Sequence, residues 1–288
     1  MLVKDARIIW NSLKGIICVY KPADVKCSHV RHAILYKICS GLNDMQCRPP
    51  IDRVEILGPR YQLEDLHCSW ANYLGTHTSG VLLLGLRTAT KMAKYIRENK
   101  PTRAYRVKGV LGSATDTAYK DGKTVERTTW KHVKYVHIET LLSSMQASHQ
   151  RKMFELCGVD IRSQTAYELA IQGPIRPTNS KIPVLYGIKC VHFEPPDFTL
   201  EIQCINENEM YLKSIIHEIG MKLHSSAHCT GLQCIRHSCF SLDDALLRKH
   251  WTLQDIVTNM ERCNKIIKEN KMDKKQEYAS LQKIRTVQ

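Results

Sequence analysis

The sequence has no apolar run of the roughly 18–20 residues that a bilayer-spanning helix needs. It also lacks both glycine signatures that cradle nucleotide phosphates, G-x-x-x-x-G-K-[ST] and G-x-G-x-x-G. Nucleotide hydrolysis and hydride transfer therefore lose their usual support. No G-x-S-x-G elbow is present, which removes the commonest serine hydrolase signature. The paired C-x-x-C arms of a zinc ribbon are missing, although the chain holds 12 cysteines. Internal repeats and low-complexity blocks are absent too. Acids are scarce: 28 Asp and Glu stand against 42 Lys and Arg, a formal net charge of +14.

That imbalance is the first positive signal. A strongly basic surface attracts polyanions and releases their counterions when phosphates are neutralised. RNA or DNA is the first partner to consider and an anionic membrane surface the second, against the plain reading of an unspecialised basic surface. At 288 residues the chain can bury a sizeable core. The cysteines are scattered rather than framed as in a small secreted domain, which fits reduced thiols in cytosol, nucleus or mitochondrial matrix. Lys4, Asp5 and Arg7 interrupt any secretory signal. The opening MLVKDARIIWNSLK, with three basic residues and one acid, is compatible with a short targeting segment over residues 1–13.

Hydrophobic patterning gives interspersed strands and helices without a strict βαβ rhythm, hence an α+β fold. Residues 15–20 read as a buried strand stopped by Lys21-Pro22. Ser28 is the expected cap of a helix over 29–38, and 40–62 reads as a long loop. A second buried strand is expected at 80–86, followed by a helix from Thr88 to Glu98. Residues 104–109 alternate as a strand, and KDGK at 120–123 is a hairpin turn. Further expectations are a short helix at 140–145 and strands at 167–172, 184–193 and 198–205. Helices should then cover 212–223, a capping-box start at Ser241, and a run from Thr252. From Glu261 the chain carries eight basic and four acidic residues with little apolar material, and 261–288 reads as a frayed, partly disordered basic tail.

Two constellations stand out. His224, His228, Cys229, Cys234, His237 and Cys239 are the densest group of metal-ligand types. The cysteines fall five apart, which in an alternating strand sends successive thiols to opposite faces, so no metal is expected. KPTRAYRVK at 100–108 interleaves basic and aromatic residues on a strand. Tyr105 there could stack on an extruded base while Arg106 and Lys108 hold phosphates, the plain alternative being an edge strand with a half-buried tyrosine.

Six stretches in order resemble the TruB family of RNA pseudouridine synthases, most closely its animal mitochondrial branch. They are GIICVYKP at 15–22; SGVL at 79–82 with ATK at 89–91; and AYRV at 104–107 with LGSATD at 111–116 and DG at 121–122. AYELA at 166–170, YLKS at 211–214 with EIG at 218–220, and FSLDDAL at 240–246 complete the set. The resemblance covers residues 14–260 and implies one synthase-like domain with a mixed, mostly antiparallel sheet flanked by helices. It implies cofactor-free isomerisation of uridine to pseudouridine in RNA. In that chemistry one aspartate is essential, a basic residue pairs with it, and a tyrosine stacks on the flipped base.

The family loop reads Arg or Thr, Leu, Asp, three residues, then Ser or Thr and Gly. Counting back from Ser79-Gly80 gives Tyr73, Leu74 and Gly75. Glycine has no side chain with which to attack a ribose or take a proton. Lys213 stands at the position of the pairing arginine, and with Gly75 opposite it is expected to have no carboxylate to hold. Asp65 and Glu64 upstream and Asp116 downstream are the acids that would have to substitute. The expectation is an RNA-binding protein that has lost catalysis, with Lys21, Tyr105, Arg106, Lys108, Tyr211 and Lys213 as RNA contacts. Its partners would be mitochondrial mRNA, rRNA or tRNA and RNA-granule proteins in the matrix. An active synthase with a displaced acid, and a protein scaffold that does not touch RNA, stay open as alternatives.

Overall fold

The computed structural model describes residues 5–45, 60–171 and 182–285, with side chains to residue 270. In chain order the elements are α1 (Ala6–Ser12), β1 (Ile16–Lys21), α2 (Cys27–Asn43), β2 (Cys68–Trp70), β3 (Thr78–Leu86) and α3 (Thr90–Glu98). Next come β4 (Arg103–Leu111), β5 (Ser113–Thr115), β6 (Thr124–Arg127), α4 (Tyr135–Leu156) and α5 (Gln164–Ile171). The remainder is β7 (Val184–Glu194), β8 (Asp197–Ile205), α6 (Glu209–Lys222), β9 (Ala227–His237), β10 (Phe240–Ser241) and α7 (Leu253–Arg285). Strands pair mostly antiparallel with helices on their flanks, so the fold is the expected α+β class. The chain forms two compact units. One comprises Met1–Thr76, Gly80–Asn99 and Arg236–Gln288, the other His77–Ser79 and Lys100–Ile235.

In the first unit β1 and β3 pair antiparallel, from Ile16 opposite Gly85 to Lys21 opposite Gly80, and β2 pairs with the far end of β3. Ile16, Ile17, Cys18 and Val19 are all buried, as are Val81 to Leu84, because helices take up their apolar side chains. α7 packs on β1 and on α2, and α1 packs on α2. Asn259 on α7 fixes this arrangement with both ends of its amide. Its Oδ1 accepts the Cys18 N–H at 2.9 Å, and its Nδ2 donates to the Asp244 carbonyl at 2.8 Å. Asp244 closes the expected capping box with Ser241, but over a three-residue 3-10 turn, and its other oxygen accepts from Arg262 at 2.7 Å.

Two helices outrun the sequence expectation here. α2 starts before Ser28 and continues to Asn43, because Cys27, Val30, Ile34, Ile38 and Leu42 make one buried stripe. Most of the loop expected at 40–62 lies in 46–59, outside the described residues. α7 runs on through 261–285, where fraying was expected; the segment contains neither Gly nor Pro and is rich in Lys, Glu and Gln, all good helix formers. Residues 286–288 of that tail lie outside the described residues.

In the second unit the strand order is β9-β4-β8-β7. β4 and β8 pair antiparallel from Arg103 opposite Cys204 to Val110 opposite Asp197, and β7 and β8 form a long hairpin. α4 is 22 residues long rather than a short helix, and packs on β7 through a face that buries Ile138, Leu142, Met145 and Met153. α6 packs on β4 through Leu212, Ile215, Ile216 and Ile219. The stretch expected as a strand at 167–172 is instead helix α5, where Ala166, Glu168, Leu169 and Ala170 favour the helix; Gln172 lies outside the described residues. β5 and β6 form the hairpin predicted from KDGK.

β9 corrects the cysteine argument. Its burial runs Ala227 and Cys229, then Leu232 and Cys234, so the two-residue alternation slips by one at Thr230-Gly231. Both Cys229 and Cys234 are therefore fully buried instead of facing opposite ways. Among the described residues no group of three His, Cys, Asp or Glu side chains is disposed to hold a metal ion.

Gly85 marks a close approach in the first unit. A Cβ at this position would lie 2.6 Å from the Ala89 carbonyl oxygen and 2.9 Å from the Ala93 Cβ, both rigid. Gly85→Ala should therefore cost about 1–3 kcal/mol through overpacking, read as a lower urea midpoint. An unchanged midpoint would show that α3 can move away freely.

Candidate functional site

The loop between β2 and β3 is built from alternating anchors. The Ala71 N–H donates to the Leu83 carbonyl at 2.8 Å. Asn72, fully buried, donates from Nδ2 to Val81 at 2.9 Å and accepts at Oδ1 from the Leu83 N–H at 2.8 Å. The side chain thus imitates a strand neighbour and satisfies the polar groups that burial would otherwise leave costly. The Cys27 thiol donates to the Leu74 carbonyl at 3.2 Å. The Lys21 ammonium, at the end of β1, donates at 3.0 Å to both the Thr76 and Pro22 carbonyls. Gly75 therefore sits between two carbonyls that are each held by a buried side chain.

Past Thr76 the chain enters the second unit, where a carboxylate takes over. Glu209, in the first turn of α6, accepts at Oε2 from the Thr78 N–H at 3.0 Å and the Thr78 hydroxyl at 2.8 Å. Its other oxygen lies 3.2 Å from the Lys213 ammonium, one helical turn along, with only 4% of the Lys213 side chain exposed. Lys213 thus holds a carboxylate, contrary to the sequence expectation, and the partner is on its own helix. The i, i+4 spacing that joins them was visible in the sequence, but the burial that makes it matter was not.

Sequence reasoning also passed over Tyr119. It is 2% exposed, its ring centroid lies 4.6 Å from the Lys213 ammonium, and the His77 ring packs on it at 4.5 Å. A desolvated cation over a tyrosine ring is attracted to the π face, so Tyr119 and Glu209 together hold the Lys213 charge. His77 Nε2 is 3.6 Å from Asp121, and the neighbouring Asp116 accepts the Lys123 N–H at 2.9 Å within the hairpin turn. Asp65 accepts the Gln62 N–H at 3.3 Å, again within a local turn.

The expected RNA contacts fall into two groups. Arg106 and Lys108 are exposed, on the opposite side of β4 from the buried Tyr105 and Val107. Tyr105 is 3% exposed, and its hydroxyl donates to Glu207 Oε1 at 2.6 Å, an oxygen that also accepts from Arg103 at 3.0 Å. Burial, then the Glu207 carboxylate, pushes the Tyr105 phenol well above its ordinary value. Tyr211, half-buried on α6, has its hydroxyl 3.5 Å from His149 Nε2 and is pushed up to about 12, chiefly by burial. Lys21 and Lys213 are buried and occupied as described. Arg106 and Lys108 are thus open to solvent, whereas Tyr105 and Lys213 in the same unit, and Lys21 in the first, are not.

Two measurements follow. Glu209→Gln strips the buried Lys213 of its countercharge and should cost about 3–5 kcal/mol in urea unfolding. The double substitution with Lys213→Met should recover much of that loss, and additive effects would mean the two groups do not interact. The second concerns alkaline pH. Burial raises the thiols of Cys229 and Cys263 from 9.0 to about 12, and Tyr211 from 10.0 to about 12. Acids with raised folded values stabilise fully below their unfolded values and cease to do so as pH climbs through the folded ones. Stability should hold to about pH 8.5 and fall between about pH 9 and about 12; a flat urea midpoint across that window would contradict these burials.

The comparisons with known proteins agree with this architecture. Residues 67–210 match the family described as TruB family pseudouridylate synthase (N terminal domain). A mouse protein named mitochondrial pseudouridylate synthase TRUB2 is 36% identical over 271 residues, covering 85% of this chain and 82% of the relative. Its counterpart of the same name from Xenopus tropicalis is 34% identical over 284 residues, covering 88% and 87%. A solved structure of an H/ACA RNP bound to a substrate RNA containing 2'-deoxyuridine has a chain with the same fold, with a TM-score of 0.50 at 17% identity. The match covers 84% of this chain and about half, 54%, of that one. The chain belongs to the TruB family of pseudouridylate synthases.

Proposed function

We propose that this TruB-family chain binds RNA and has lost the isomerisation of uridine. The observation that carries the reading is Gly75. By the family pattern it stands where the essential aspartate belongs, and a glycine offers neither nucleophile nor base. The cation that would pair with that aspartate supports the same reading, because Lys213 is already matched by Glu209. RNA binding rests on the family and on a net charge of +14. Arg106 and Lys108 are the exposed phosphate contacts in this reading, and Lys21, Tyr105, Tyr211 and Lys213 are its further RNA contacts. The names of the mouse and frog relatives support a mitochondrial location, and we place the chain in the matrix, acting on mitochondrial mRNA, rRNA or tRNA with RNA-granule proteins. In this reading residues 1–13 are a targeting segment, 14–260 the synthase-like region and 261–288 a basic tail.

One observation favours a second reading, in which a displaced acid keeps some activity. Glu209 brings a carboxylate to both Lys213 and the chain three residues past Gly75. If the reaction survives, Glu209 is the group to carry it.

Carbodiimide mapping of RNA treated with the purified chain separates the two. The expected result is no site-specific pseudouridine, a deficit of at least about 10²–10⁴ in rate relative to an aspartate-bearing relative. Conversion at a defined site would overturn the first reading, and its loss in Glu209→Gln, measured under conditions where urea titration shows that variant folded, would establish the second. Filter binding across a salt series should show log affinity falling, per tenfold rise in salt, by about 0.7 for each phosphate neutralised on single-stranded RNA. Affinity indifferent to salt would mean that the chain is a protein scaffold.

A further inference from the structure

We propose that Tyr73, Trp70 and Arg31 form a stacking platform for unpaired RNA bases on the unit that carries Gly75. The inference rests on the RNA-binding reading and adds where bases, rather than phosphates, are held.

The starting point is an aromatic side chain that should be inside and is not. Tyr73 is 60% exposed, although Ala71 and Asn72 before it are fully buried and Leu74 after it is 2% exposed. The backbone on both sides is pinned, by Ala71 and Asn72 on β3 and by the Cys27 thiol on Leu74. A loop held this firmly has little freedom to fold the phenol back, so its outward projection is fixed. The backbone beneath the phenol is thus ordered before binding, and only the side-chain torsions remain to be fixed.

The neighbours of Tyr73 make a platform. Its ring centroid lies 6.1 Å from that of Trp70, at an interplanar angle of 61°. Trp70 closes β2 and is half-buried, and the Arg31 guanidinium from α2 stacks on its indole at 5.0 Å. α3 packs against β2 and exposes Lys91 and Arg97. Aromatic faces backed by a stacked guanidinium, with further cations on the adjoining helix, are what splayed single-stranded bases and their phosphates require. An aliphatic protein surface fits less well, since Leu74 is buried and the exposed face is aromatic and cationic. Tyr73 also departs from the family pattern, which has Arg or Thr there.

Fluorescence anisotropy with the full chain and a fluorescein-labelled, single-stranded oligouridylate tests this. Tyr73→Ala should weaken binding about tenfold, the scale of one lost base stack, and Tyr73→Phe should retain the wild-type affinity. A labelled RNA duplex, whose bases are not available for stacking, should bind both variants and wild type alike. Because Tyr73 is exposed, thermal unfolding of Tyr73→Ala should match that of wild type. Arg31→Ala, which removes the cation behind Trp70, should weaken the oligouridylate by a smaller factor and in the same direction. If wild type binds the oligouridylate and Tyr73→Ala binds it equally well, the platform is wrong and the RNA reading stands. If wild type binds neither RNA at low salt, the RNA reading fails first and the platform with it. Loss of a protein partner in Tyr73→Ala, with RNA affinity intact, would reassign the patch to protein contact.

Discussion

An ammonium group removed from water needs a countercharge, and in this protein that requirement ties a helix to a loop. Lys213 is buried on α6, and Glu209 one turn earlier supplies the negative charge. The same carboxylate uses its second oxygen to hold the main chain and hydroxyl of Thr78. Taking two charges out of water is rarely stabilising on its own account. What the pair contributes is position: the residues after Thr76 cannot move away from α6 without giving up both Thr78 hydrogen bonds to the carboxylate that the buried lysine fixes in place. Tyr119 closes the arrangement by laying its ring beside the same ammonium, and His77 packs on that ring.

The loop around Gly75 in the first unit and the helix carrying Lys213 in the second are each held by their own contacts. A lysine buried with no countercharge to face would cost several kcal/mol. Here Lys213 is answered by a carboxylate on its own helix. The loop has meanwhile kept its anchors on Asn72, Cys27 and Lys21. Gly75 therefore lies in a loop whose backbone is held on both sides by buried side chains.

The sequence made the strands of both units legible, because runs such as IICVY and VLLLGL are apolar without interruption and FTLEIQCI alternates. The Arg106 and Lys108 side of β4 followed from the same alternation. Other features depended on information that no local pattern contains. The pairing of Lys213 with Glu209 is an ordinary i, i+4 spacing, found on many exposed helices where it contributes little. Tyr119 sits in a turn-rich stretch, and only the fold brings its ring to a buried cation. The helix at 164–171 was misread because its tyrosine and isoleucine suit a strand, while its alanines and glutamate decide the matter locally. In β9 a one-residue slip at Thr230-Gly231, invisible to a period-two count, turned Cys229 and Cys234 inward together.

The first unit is assembled from three separate stretches of chain, with the second unit's long segment Lys100–Ile235 inserted between the last two. Its amide clamp is made by Asn259, which reaches back to Cys18 across 241 positions. A ribosome delivers β1 long before α7, so β1 must wait for its covering helix while the inserted segment, continuous in the chain, can already close its own strands. During that interval the apolar face of β1 is exposed and open to wrong partners. The order of synthesis thus makes the earliest strand among the last to be covered, and a nascent chain of this kind stands to gain from a chaperone that shields residues 16–21 until the C-terminal helix arrives.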